Sequence, residues 1–188
     1  MEIESEIRSP LEGEPKNSSE ALNFSVGGNC RRRRPSPKFA SRISTLPQGE
    51  GGVVEIARAW IGTPYVHQAS VKGAGCDCLG LLRGVWRERH GEEPEDAPPY
   101  SPDWSEATGQ ETLYRAFSRH LTEIDRKEIG PGDIVLFRMS PRGPAKHCGI
   151  VAEKHGALTL IHARQNKRVS EEAFSALWRG KLAYAFRM

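Results

Sequence analysis

The chain of 188 residues, 37% hydrophobic and 27% charged, is long enough for one domain of ordinary size plus an appendage. Its 27 basic and 24 acidic residues leave a net charge of +3, too balanced for a dedicated nucleic-acid binder with a strongly basic face. No apolar run nears the roughly 18–20 residues that span a bilayer, the acidic opening develops no signal-peptide core, and four cysteines (Cys30, Cys76, Cys78, Cys148) are too few for a disulfide scaffold.

Composition changes near residue 50. Residues 1–50 hold two aromatics, Phe24 and Phe39, with Asn-Ser-Ser, Gly-Gly and prolines at 35, 37 and 47. Such a segment cannot bury enough apolar surface to offset ordering entropy of about 1–2 kcal/mol per residue. It reads as a disordered tail, or as sequence upstream of the natural start. The run Arg31–Arg34 reads as part of that solvated tail, since nearby acidic residues bring the segment close to neutral. All four tryptophans and all four tyrosines fall after it, so residues 51–188 form one domain.

In that domain Val53, Ile56, Ala57 and Trp60 recur at helical spacing, predicting a helix over Val53–Ile61 stopped by Gly62 and Pro64. From Cys78, the positions Leu82, Val85, Trp86 and Arg89 predict an amphipathic helix ending near Gly91. Pro94–Asp103 reads as a proline-rich loop and Glu111–Leu121 as a further helix. After Gly130-Pro131-Gly132 come predicted strands Asp133–Met139, His147–Glu153 and Ala157–Ala163, with a tight turn at His155-Gly156, and a final edge strand Leu182–Arg187. Helices followed by an antiparallel meander define an α+β class.

The chemistry gathers around Gly75-Cys76-Asp77-Cys78-Leu79-Gly80. Cys78 falls at a predicted helix start, where unpaired N–H groups and the helix dipole stabilise a thiolate. The same N–H groups could hold the oxyanion formed when that thiolate attacks a carbonyl. A buried structural thiol is the alternative. Strand alternation puts His147 on the face opposite Cys148, which turns into the core. Antiparallel pairing through the turn at 155–157 brings His147 beside His162, giving a nucleophile, a base and an orienter. The other histidines (His67, His90, His120, His155) read as solvated. A zinc site from Cys76, Cys78, Cys148, His147 and His162 is the rival. Against it stand the Cys-x-Cys spacing and the opposed faces of His147 and Cys148.

These pieces in this order resemble the NlpC/P60 peptidases, papain-like cysteine hydrolases of bacterial peptidoglycan. The resemblance is carried by Gly62-Thr63-Pro64-Tyr65, Asp77-Cys78 with Gly80-Leu81, Pro131-Gly132-Asp133-Ile134-Val135-Leu136-Phe137, His147-Cys148-Gly149-Ile150-Val151 and Ile161-His162-Ala163. More narrowly, Ala59–Tyr65, Gly75–Leu81, the Pro-Tyr-Ser-Pro-Asp-Trp segment from Pro99 and Pro144–His147 are similar to a branch found in prophages and gene transfer agents. The resemblance implies a papain-like fold in which a helix carrying the nucleophile packs on an antiparallel sheet. It implies Cys78 as nucleophile, His147 as general base and acid, His162 as the residue orienting the imidazole, and Tyr65 and Asp77 as shapers of the substrate pocket. It implies no cofactor and no metal. Many relatives carry Ser after the nucleophile, where this chain has Leu79.

The expected activity is hydrolysis of an amide in peptidoglycan stem peptides. The alternatives are a non-catalytic wall-binding tail component and another acyl transfer on the same fold. With no signal peptide expected, the chain would be made in the cytoplasm. It would reach the wall on a phage-like particle, with tail or baseplate proteins as partners, or through lysis.

Overall fold

A computed structural model describes residues 50–101 and 109–188; the expected tail, residues 1–50, lies outside this range except for Glu50, as do the last two residues of the proline-rich loop. The first helix, α1, spans Glu50–Arg58 and buries Val53, Val54 and Ala57. It ends three residues before the expected Ile61; a turn then carries Trp60, 2% exposed, onto the next helix. A short hairpin, β1 (Ser70–Val71) and β2 (Gly75–Cys76), leads into α2 (Cys78–His90).

The buried face of α2 consists of Gly80, Leu81, Leu82, Gly84 and Val85, so it is turned from the expected stripe, and Trp86 is only half-buried. The two glycines explain the turn. A Cβ at Gly84 would sit 2.0 Å from the Trp60 ring, and one at Gly80 would sit 1.8 Å from the Ala69 carbonyl oxygen. These positions form a smooth track on which the Trp60 turn and the loop before the hairpin lie flat, displacing the stripe toward Leu81. The helix α3 (Thr112–His120) follows, buried through Leu113 and Phe117.

The remaining strands are β3 (Thr122–Ile124), β4 (Ile134–Arg138), β5 (Ala145–Lys154), β6 (Ala157–His162), β7 (Ser170–Ala173) and β8 (Leu182–Arg187), with α4 (Ala176–Lys181) between the last two. They form one antiparallel sheet in the order β3-β8-β4-β5-β6-β7. The α+β fold expected from the sequence is therefore present. The expected edge strand β8 is instead interior, because the short polar strand Thr122–Ile124 pairs with its outer side. The turn at His155 and Gly156 has φ of 54° and 77°, the positive pair that suits a two-residue hairpin. It pairs Lys154 with Ala157 and Ile150 with Ile161.

Both faces of the sheet are covered. Ile134, Leu136, Cys148, Ile150, Ile161 and Phe186 pack in one cluster with the helices α1, α2 and α3. Val135, Phe137, Val151, Leu160 and Ala185 pack against Phe174 and Trp178 on the other. Ion pairs tie the periphery: Arg58 of α1 donates to Glu171 of β7 at 2.8 and 3.0 Å, and Arg187 of β8 to Asp133 at 3.0 and 3.2 Å. Glu111 accepts from the Ala145 backbone at 2.9 Å and pairs with Arg138, fixing the start of β5 two residues before His147. Among the described residues, no helix is long and apolar enough to cross a membrane.

Candidate active site

One wall of the site is the start of α2. Asp77 is the N-cap, its backbone extended and its Oδ1 accepting from the Gly80 N–H at 2.8 Å. Its Oδ2 accepts from the Gln68 N–H at 2.7 Å and from the Tyr100 hydroxyl at 2.6 Å, and His67 Nδ1 lies 3.4 Å away. Asp77 is 2% exposed, so these donors replace water around a buried carboxylate. The segment before it is held by the β2 backbone: the Cys76 N–H donates to Pro64 and the Val66 N–H to Cys76, bridging Tyr65 to Cys76. Tyr65 is thereby set beside Cys78.

The three described cysteines differ sharply. Cys76 is buried, and burial pushes its thiol up to about 12. Cys78 is half-buried at the first position of α2. A hydrogen bond from Cys148 holds its thiol well below the ordinary value, against burial, and His147 lowers it further through a hydrogen bond and its charge. Cys148 is fully buried, and burial and the Cys78 charge push its thiol well up. Only one thiol of the pair can ionise while the other donates to it, and Cys78, at a helix N-terminus beside an imidazole, is the one that does.

The other wall is the sheet. His147 Nε2 lies 2.9 Å from His162 Nδ1. The His147 ring stacks on both Phe137 and Trp178, with centroid distances of 5.8 and 5.5 Å, and those two rings touch each other at 4.9 Å. His162 is fully buried, and its Nε2 lies 3.0 Å from Glu172 Oε1. Burial, with the neighbouring His147, Arg164 and Lys167 charges, pushes the His162 imidazole down to about 3. The same Glu172 oxygen accepts from the Trp178 indole N–H at 2.7 Å, and Arg164 donates to the other oxygen at 3.0 Å.

Between these walls lies a cleft of about 450 Å³ that brings together Tyr65, Asp77, Cys78 and His147, with Lys146 and Arg164 beside them. His162 stands directly behind His147. All five residues singled out from the sequence thus gather in one place. Leu79 faces away from the cleft, into a separate apolar cavity of about 280 Å³ between α2, α3 and the segment 93–100. His67, expected on the surface, is instead half-buried in the cleft, where its Nε2 bonds to the Tyr100 carbonyl at 2.8 Å. Tyr100, Glu172 and Trp178 were not foreseen as site residues. Tyr100 belongs to a recognisable Pro-Tyr-Ser-Pro segment, whereas no sequence signal marks Glu172. Among the described residues no three His, Cys, Asp or Glu side chains come together in a metal-binding arrangement.

The model of the NlpC/P60 family matches residues 62–187. This chain belongs to the NlpC/P60 family. It is 29% identical over 145 residues to the gamma-DL-glutamyl hydrolase of Bacillus subtilis (strain 168), an alignment covering 76% of this chain and 30% of that protein. The chain therefore spans under a third of the length of that relative. It is 24% identical over 153 residues to a protein of Escherichia coli (strain K12) named probable endopeptidase NlpC, covering 81% of this chain and 85% of the other. Among solved structures, the NlpC/p60 domain of the peptidoglycan hydrolase SagA shares the fold. Its TM-score is 0.52 at 23% identity, over 74% of this chain and 99% of that one. NlpC2 from Trichomonas vaginalis does so as well, with a TM-score of 0.54 at 21% identity, over 77% of this chain and 48% of the other.

Proposed function

We propose that this NlpC/P60 domain is a cysteine peptidase that hydrolyses an amide bond in the peptide part of peptidoglycan. The observation that carries this reading is the contact of Cys78, at the start of α2, with His147, itself bonded to His162. The Cys78 thiolate attacks the amide carbonyl, forming a carbon–sulfur bond and a tetrahedral oxyanion. The Gly80 N–H is taken by Asp77, which leaves the Cys78 and Leu79 N–H groups at the helix start to receive that oxyanion. The intermediate collapses as the carbon–nitrogen bond breaks, and His147 gives its proton to the departing amine. Water, deprotonated by His147, then splits the thioester and releases the acid. These steps use no metal or organic cofactor.

We assign Tyr65 and Asp77 to the substrate pocket. Both line the cleft, but the oxygens of Asp77 already accept three short hydrogen bonds. That favours a role in fixing Tyr100 and the helix start over direct pairing with a substrate amine. Delivery to the wall by a phage-like particle, with tail or baseplate proteins as partners, is proposed from the similarity of the local motifs; release at lysis is the other route. The domain division at residue 50 is proposed from composition.

The test is incubation with purified peptidoglycan. New free amines should appear, iodoacetamide should stop their release, and EDTA should not. Retention on the wall with no new amines would replace this reading with a non-catalytic binder.

A further inference from the structure

The strand β7, Ser170–Ala173, carries two glutamates with opposite duties. Glu171 bonds to Arg58 and Thr159 on one face of the sheet. Glu172 turns to the other face and reaches His162. Three donors fix the Glu172 carboxylate: the Trp178 indole N–H at 2.7 Å, Arg164 at 3.0 Å and His162 at 3.0 Å. Trp178 also covers the histidine pair, its ring centroid 5.5 Å from His147 and 4.9 Å from His162.

We propose that Glu172 is a positioning residue that holds His162 in its Nε2–H tautomer and thereby turns the basic Nδ1 of His147 toward Cys78. The assignment follows donor by donor. An ionised carboxylate only accepts, so the hydrogen between Glu172 and His162 sits on His162 Nε2. The Nδ1 of a neutral imidazole is then an acceptor, so the hydrogen in the 2.9 Å contact belongs to His147 Nε2. That leaves His147 Nδ1 as the lone-pair nitrogen available to the Cys78 thiol. Full burial of His162, whose imidazole is pushed down to about 3, keeps it neutral through this relay. Without Glu172, His162 could carry its proton on Nδ1, and two N–H groups would then face each other across 2.9 Å. Glu172 does not line the cleft, so it acts through the histidines and not on substrate.

The charge has a separate effect from the tautomer. The groups facing the histidine pair are Cys78 and Asp77 from the α2 wall, Lys146 on β5, Arg164 and Lys167 after β6, Glu172 on β7 and, across the Trp178 ring, Lys181 of α4. Glu172 is the carboxylate bonded to His162, so its charge favours the imidazolium that forms on His147. Removing its charge weakens that stabilisation.

The variants Glu172→Gln and Glu172→Ala separate the two effects. In Glu172→Gln the side-chain oxygen still accepts from His162 and Trp178, so the tautomer is kept while the charge is lost. In Glu172→Ala both are lost. Nitrogen-15 imidazole spectra of the full chain should show His162 as Nε2–H in the wild type and in Glu172→Gln, and mixed or Nδ1–H in Glu172→Ala. The rate of Cys78 alkylation by iodoacetamide at neutral pH should fall in both variants, further in Glu172→Ala.

This proposal rests on the peptidase reading only for its third readout. On muropeptides, kcat should drop about 10–100-fold in Glu172→Ala with KM unchanged, the range found when the carboxylate behind a metal-binding imidazole is removed. In Glu172→Gln the drop should be smaller and the alkaline limb of the rate profile should move to lower pH. A wild-type His162 carrying its proton on Nδ1 overturns the proposal whether or not either variant folds. So does a Glu172→Ala protein with unchanged tautomer and alkylation rate, or a loss confined to KM. Correct tautomers and alkylation rates without any wall hydrolysis would uphold the relay and defeat the peptidase reading instead.

Discussion

The two walls of the cleft are built in different ways. The α2 wall is local: Asp77, Cys78 and Gly80 are neighbours in sequence, and one N-cap sets the thiol, the free helix N–H groups and the bonds to Gln68 and Tyr100. The sheet wall is assembled from a distance: His147 from β5, His162 from β6, Glu172 from β7 and Trp178 from α4 meet only because three strands pair in register. A local wall is set by a few neighbouring residues, although its thiol is still lowered by Cys148 and His147 across the cleft. An assembled wall spreads its function over side chains that each modulate the next. The cysteine pair shows the contrast at a single contact, since Cys78 stands on the first wall, poised to ionise, and Cys148 on the sheet, kept protonated by burial.

The sharpest break in that comparison is chemical labelling. Iodoacetamide at neutral pH should modify Cys78 and leave Cys76 and Cys148 intact, because of these three only Cys78 combines exposure with a lowered thiol. Peptide mapping reads the result, and early modification of Cys148 would invert the assignment of the two walls. Next in size is His147→Ala, expected to lower kcat/KM on soluble muropeptides by about 10²–10⁴-fold, the usual share of general acid–base catalysis. His162→Asn should lose less than His162→Ala, since an amide can still accept from His147. Equal losses would show that the second histidine packs without orienting.

Smaller effects follow from stability. Asp77→Ala removes a helix N-cap, worth about 0.5–2 kcal/mol, and strips the half-buried Tyr100 hydroxyl and the Gln68 N–H of the Asp77 carboxylate. Urea denaturation should register a loss at the upper part of that range. The buried His162 gives the broadest signal, spread over several pH units. Its pKa is depressed to about 3 in the folded protein from an ordinary value near 6.5, so the unfolded chain binds the extra proton first as pH falls. Stability from this group is intact above about 6.5 and declines progressively between there and about 3. Replacing His162 with Asn should flatten that part of the pH–stability curve, which thermal melts at stepped pH would measure.

The walls also differed in how far the sequence revealed them. The Cys-Asp-Cys-Leu-Gly run at a helix start was legible because capping chemistry and hydrophobic period are both local signals. The pairing of His147 with His162 was legible because a two-residue turn at His155-Gly156 dictates the register between their strands. Glu172 was not, since Ser170-Glu171-Glu172-Ala173 has no apolar alternation and becomes a strand only by pairing with β6. β8 was read as an edge because its neighbour β3 is a three-residue polar strand with no pattern of its own. The rotation of α2 escaped because it depends on Trp60 lying against Gly84, a contact between two elements.

The measurement closest to the central claim is mass spectrometry of muropeptides from purified wall treated with the wild-type chain or with Cys78→Ser. Cys78 as the nucleophile of a wall peptidase requires wild-type products that differ from substrate by one water added across a peptide amide, with none above background for Cys78→Ser at matched melting temperature. Identical products from both proteins would contradict it.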